Sequence, residues 1–140
     1  MKITPDTNVL VRAAMDDDPD QSRTAKTVLQ NAEIIALALP ALCEFVWVMS
    51  RGYKIAPAQI SDAIRRLMDG QNIVAHRAAV EAGLKMLDSG GDFAEGVIAY
   101  EGRWLGGEVF VSFDRRAVKL LTAQGRETQL LAAGSRGAKQ

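Results

Sequence analysis

The sequence predicts an α/β domain, with helices packed around a mostly parallel sheet, on three observations. Short apolar runs alternate with segments of helical periodicity along the chain. Prolines and aspartates stand where helices would open, and glycines where they would end. Acidic residues fall just after the apolar runs, where open parallel sheets bind their ligands. One domain is expected over residues 1–132 of the 140. That length can bury a core without disulfides. Residues 133–140, with Gly134, Ser135, Gly137 and Lys139, are expected to be a disordered tail.

The elements follow in order. Residues 2–5 form a short run before the largely apolar stretch 8–15. Asp16, Asp17, Asp18, Pro19 and Asp20 suit a loop that enters a helix N-terminus. From Gln21, Ala25, Val28, Leu29 and Ala32 keep helical spacing. Residues 34–39 are continuously apolar, as for a strand buried on both faces. Pro40 opens a helix running to about Arg51. Pro57 opens another, with Ile60, Ile64, Leu67 and Met68 in one stripe and Gly70 after it. Residues 72–75 suggest a short strand, and Val80, Leu84 and Leu87 mark a helix closed by Gly90 and Gly91. Asp92 caps a helix reaching about Leu105; residues 108–113 are the clearest strand; residues 115–124 form the last helix.

Composition narrows the function. Hydrophobic residues are 48% and charged residues 24%, as in ordinary soluble globular proteins. Lysine plus arginine and aspartate plus glutamate both number 17, so no whole-molecule field attracts nucleic acid. An RNA ligand would need local clusters such as Arg51 with Lys54, Arg65 with Arg66, or Arg115 with Arg116. Solvated helix faces would account for the same clusters. The lone Cys43 lies in an apolar stretch and reads as a buried, reduced thiol. Asp6 interrupts any export signal, so a cytoplasmic setting is expected. Pro40 and Glu44 break the most apolar region, which is shorter than the roughly 20 residues of a membrane span.

The chemistry is carried by acids. Asp6 follows the first strand, Glu44 lies one helical turn beyond the second, and Asp114 follows the last. Asp92 and Glu95 join them if their helix points the same way, since residues three apart share a face. Each has an ordinary reading as well: Asp6 as a turn former, Asp92 and Asp114 as helix caps, Glu44 as a partner of an arginine or a backbone group. Glu44 stands among Leu42, Cys43, Phe45, Val46 and Trp47, and is therefore expected to be a buried, perturbed acid. Converging carboxylates repel unless cations lie between them, and hard oxygen donors favour Mg²⁺ or Mn²⁺. The single His76 has no partner for a zinc site, and no phosphate-binding glycine loop is present. Trp47 and Trp104 read as core or interface residues.

Four segments together resemble PIN-domain ribonuclease toxins of the VapC type. Asp6-Thr7-Asn8-Val9-Leu10-Val11-Arg12 resembles the opening motif, and the segment around Glu44 the second acidic position. Gly91-Asp92-Phe93-Ala94-Glu95-Gly96-Val97-Ile98-Ala99 and Ser112-Phe113-Asp114-Arg115 resemble the third and fourth. The match runs to about Leu131. It implies a PIN-like, Rossmann-like three-layer sandwich and a Mg²⁺- or Mn²⁺-dependent endoribonuclease acting on structured RNA, often transfer RNA. It also implies a homodimer restrained by a small DNA-binding antitoxin of the VapB type. Asp6, Glu44, Asp92, Glu95 and Asp114 would hold metal, with Asp6, Glu44, Glu95 and Asp114 as the catalytic acids. Thr7, Asn8 and Ser112 would stand behind them, and Arg115 and Arg116 would touch RNA. Two departures stand out: Pro5 removes a backbone donor beside Asp6, so the first strand should end early, and Glu95 replaces the commoner aspartate.

Other acid-based folds fit less well. A phosphoacceptor receiver domain needs paired acids after the first strand and a late lysine. A haloacid-dehalogenase phosphatase needs a second aspartate where Asn8 stands. A catalytically idle PIN module that only binds a partner is the alternative compatible with the same residues, and a cleavage assay with and without Mn²⁺ separates it from the enzyme.

Overall fold

A computed structural model describes residues 1–133. The expected tail from 133 lies, except for Ala133, outside the described residues. The chain opens with β1 (Lys2–Ile3), which stops ahead of the buried Pro5 as expected. Helix α1 (Thr7–Ala14) and α2 (Pro19–Asn31) follow; Asp18 caps α2 by accepting from the Gln21 N–H at 3.1 Å. Then come β2 (Ile34–Ala36) and α3 (Leu39–Trp47), which runs on into a π-helical turn, Val48–Gly52. The second half comprises α4 (Pro57–Met68), β3 (Ile73–Val74), α5 (Arg77–Asp88), α6 (Phe93–Trp104), β4 (Phe110–Ser112), α7 (Arg115–Ala123) and β5 (Thr128–Leu130).

All strand pairs are parallel, but they form two ladders rather than one sheet. One ladder runs β1-β2-β3, with Ile3 opposite Ile35 and Ile35 opposite Ile73; the other joins β4 to β5. Strand β5 had no signal in the sequence. Its Thr-Gln-Leu segment has no apolar alternation and is drawn into place by the β4 backbone: the Phe110 N–H donates to the Glu127 carbonyl at 2.9 Å, and the Leu131 N–H to the Ser112 carbonyl at 2.8 Å.

Burial on both faces of residues 34–39 is not observed. Ile35, Leu37 and Leu39 are buried while Ala36 and Ala38 are exposed, so the run alternates. The main core instead gathers helix faces over the inward side of that ladder: Leu10 and Val11 from α1, Leu42 and Phe45 from α3, Ile60 and Ile64 from α4, Val80 and Leu84 from α5, and Phe93 from α6. Each such side chain, fully buried, contributes roughly 1.5–3 kcal/mol. A smaller cluster of Met86, Ala99, Phe110, Ala117 and Leu121 seats α7 and β4. Helices α5 and α6 approach closely because both carry glycine at the crossing: a Cβ on Gly83 would lie 2.6 Å from the Phe93 ring, and one on Gly96 2.3 Å from the Ala82 carbonyl oxygen. Among the described residues, no helix is long and apolar enough to cross a membrane.

Candidate acidic site

The local sequence makes a cap of every predicted aspartate. Asp6 Oδ1 accepts from the Val9 N–H (3.1 Å), Asp92 Oδ1 from the Ala94 N–H (3.2 Å), and Asp114 Oδ1 from the N–H groups of Arg116 (2.9 Å) and Ala117 (3.1 Å). The ordinary readings of these three residues are therefore realised. The bonds use Oδ1 in each case, so a cap still leaves the second oxygen of each carboxylate for a ligand.

Three of the predicted acids meet in one cleft of about 370 Å³: Asp92 and Glu95 from the start of α6, and Asp114 from the start of α7. Gly90, at φ +91°, ends the chain's run out of α5 in a left-handed conformation and lets the next residues turn into α6. The Arg116 guanidinium donates to the Gly90 carbonyl at 2.8 Å and so ties the start of α7 to this turn. Glu95 is half-buried. Burial first, then the charges of Asp92 and Asp114, push its carboxyl above its ordinary value near 4.5.

Asp6, Thr7, Asn8, Glu44 and Ser112 do not line this cleft. The Thr7 hydroxyl donates to Glu44 Oε1 at 2.7 Å, which links the start of α1 to α3. Glu44 is exposed, contrary to the expectation of a buried acid. Helix α3 turns Leu39, Leu42, Phe45 and Val46 inward, and Glu44 falls with Pro40 and Trp47 on the opposite stripe. Cys43, next to it, is half-buried rather than buried, and its thiol is pushed up by burial, then by the charges of Asp92 and Glu101. Ser112 Oγ accepts from the Asp114 N–H at 2.9 Å, so it stands behind that acid as expected. Asn8 lines a separate groove between α1 and α2, because it lies about 100° round the helix from Thr7. Gly96 does not open space for a ligand; it is buried against the α5 backbone.

Among the basic clusters, Arg65 is held by Glu81 at 3.4 Å and Asp88 at 2.8 Å. Arg115 is exposed, and Arg116 lines the cleft together with Arg51. Two residues at the cleft were not read from the sequence as site residues. Trp47 is 62% exposed and lines it, as does Ser50 from the π-helical turn. A helical plot of residues 39–51 that placed Glu44 on the outer stripe would have put Trp47 there too.

The donors suit a hard divalent cation in kind, being carboxylate oxygens alone. Among the described residues, no three acids are already drawn together as a metal cage. Compared with protein-family models and with curated proteins, the chain finds no match.

Proposed function

We propose that this protein is a Mg²⁺- or Mn²⁺-dependent endoribonuclease with a PIN-like fold, acting as the toxin of a toxin–antitoxin pair. The observation that carries the reading is the cleft in which Asp92 and Glu95, at the start of α6, meet Asp114, just beyond the carboxyl end of β4, with the Glu95 carboxyl raised by burial and then by the charges of Asp92 and Asp114. Such repulsion is relieved by a bound cation. The parallel pairing within both ladders, β1-β2-β3 and β4-β5, fits an α/β fold of that kind.

Asp92, Glu95 and Asp114 would hold the metal, with Asp6 and Glu44 on the neighbouring α1–α3 seam completing the acid set. When bound, the ion supplies charge neutralisation at the phosphate and activation of water. The chain's own groups do the rest. Ser112 fixes the Asp114 backbone, Thr7 fixes Glu44, and Arg116 holds the α6 start against α7. Water would attack phosphorus in line and give up one proton to solvent, the opposite P–O bond would break, and the leaving oxygen would take one proton from solvent, so the protons balance. Transfer RNA as substrate, a homodimer and a VapB-type antitoxin belong to the same proposal. Exposed Ile98, Trp104 and Leu105 on the outer side of α6 supply apolar surface for such partners.

The idle, partner-binding module has one observation in its favour, the capping duty of all three aspartates. The test separates the two readings. Purified protein should cut RNA with Mg²⁺ or Mn²⁺, stop with chelator, and lose activity in Asp6→Asn. Cutting that survives both chelator and Asp6→Asn contradicts the metal mechanism, and no cutting under any divalent ion favours the idle module.

A further inference from the structure

Beside the three acids, the same cleft has a wall of different chemistry. Trp47, Ser50 and Arg51 line it from the end of α3 and the π-helical turn, spaced so that they share one helix face. Trp47 is 62% exposed, an unusual position for a ring that could have been buried. Arg51 forms no ion pair among the described residues, although carboxylates line the same cleft. A cation that shares a cleft with acids yet stays clear of them leaves a gap between opposite charges. A phosphodiester can lie against the guanidinium side of such a gap, accepting from it, with a cation needed between the phosphate and the carboxylates.

The turn itself is fixed in place. The Tyr53 N–H donates to the Val48 carbonyl at 3.1 Å, the wider spacing of a π-turn, and Lys54 just beyond holds a left-handed φ of +57°. The Tyr53 hydroxyl donates to Asp17 Oδ2 at 2.7 Å, and Arg12 donates to Asp17 at 3.1 Å. This anchor joins the turn to α1 and to the loop before α2. π-turns recur where a helix must present a side chain off its regular register.

We propose that Trp47, Ser50 and Arg51 form a subsite for one unpaired nucleotide of an RNA strand, next to the acidic centre. The Trp47 ring stacks on the base, and Arg51 and Ser50 donate to the adjoining phosphate. The subsite rests on the nuclease reading for its place beside the reacting phosphate, but its own evidence is the aromatic, the guanidinium and the turn. It selects flexible, unpaired RNA, because a base inside a duplex has no free face for the ring.

The test uses the full chain with Trp104→Phe, which leaves Trp47 as the sole tryptophan. Fluorescence is titrated with a short single-stranded RNA in Ca²⁺. Trp47 emission should be quenched on binding. Arg51→Ala should weaken binding about five- to tenfold and flatten its salt dependence by about 0.7 in slope, one phosphate contact on a single strand. Trp47→Leu, followed by the anisotropy of an end-labelled RNA because it carries no reporter tryptophan, should weaken binding to a similar extent, while Trp47→Phe, followed the same way and still aromatic, retains most of it. All three side chains are at the surface or partly so, and a melting curve for each variant verifies the fold. Emission unchanged by RNA, or Arg51→Ala with parental affinity and slope, overturns the subsite. RNA bound through Trp47 and Arg51 but never cut in Mn²⁺ sinks the nuclease reading and leaves the subsite standing. Cutting untouched by both Trp47→Leu and Arg51→Ala does the reverse.

Discussion

Asp92 and Glu95 lie three residues apart, yet their surroundings give them different work. Asp92 spends one oxygen on the Ala94 N–H, whereas Glu95 has no cap to hold and is pushed up by burial and by its acidic neighbours. Its folded pKa exceeds its unfolded one, so the stability linked to its proton is complete below about 4.5 and lost as pH rises through the raised value. Glu95→Gln cannot lose that proton. Its melting temperature relative to the parent should therefore climb between pH 4 and pH 7 in chelator, and a constant gap would show that Glu95 feels no such penalty. For Asp92 the useful comparison is between two variants, since both remove the charge. Asp92→Asn keeps the cap, and Asp92→Ala should be less stable than it by about 1 kcal/mol in urea unfolding. The caps were legible in the sequence because they depend on a few neighbouring residues. Glu44 was misjudged because its exposure depends on which stripe of α3 meets the core, and an all-apolar neighbourhood gives no hint of that.

At the scale of elements, α2 to α7 were legible, α1 was read only as an apolar stretch, and the strands were less legible. Proline openings at Pro40 and Pro57 and the glycine after α5 fixed helix ends within a residue or two, whereas Pro19, read as loop, is the first residue of α2. Strand β5 and the π-helical turn were not readable, because the first is recruited by β4 and the second is a local change of hydrogen-bond register within an otherwise helical sequence. The division into two ladders likewise depends on tertiary placement that no local pattern encodes. The α5–α6 crossing offers a sharp check on packing. Gly96→Ala must move backbone, since its Cβ would lie 2.3 Å from the Ala82 oxygen and 2.9 Å from the Gly83 Cα. Overpacking of about 1–3 kcal/mol or more should outweigh the gain of up to about 1 kcal/mol in helix propensity. Gly102 lies on the same helix with nothing within 4 Å of an added Cβ, so Gly102→Ala should stabilise. Thermal melting of the pair decides it, and a stabilised Gly96→Ala would refute the close crossing.

Across the whole molecule, a chain of zero net charge gathers carboxylates in one cleft and sets guanidinium groups beside them. No long-range field would draw RNA in, so on the proposed reading recognition has to be local and carried by the cleft. Asp6, Glu44 and Asp114 come after β1, β2 and β4 in the chain, whereas Asp92 and Glu95 come after α5; the division into a cleft of three and a seam of two was not legible, because it depends on how α3 packs beside α6. The central claim is that the cleft's acids perform phosphodiester cleavage, and the most direct measurement is the rate of RNA cutting by Glu95→Gln in saturating Mn²⁺, against the parent under the same conditions. The side chain keeps its length and loses only its charge and titrating proton, with no cap disturbed. The account predicts a folded protein whose cutting rate falls by about a hundredfold or more. A folded Glu95→Gln that cuts RNA at the parental rate would contradict it.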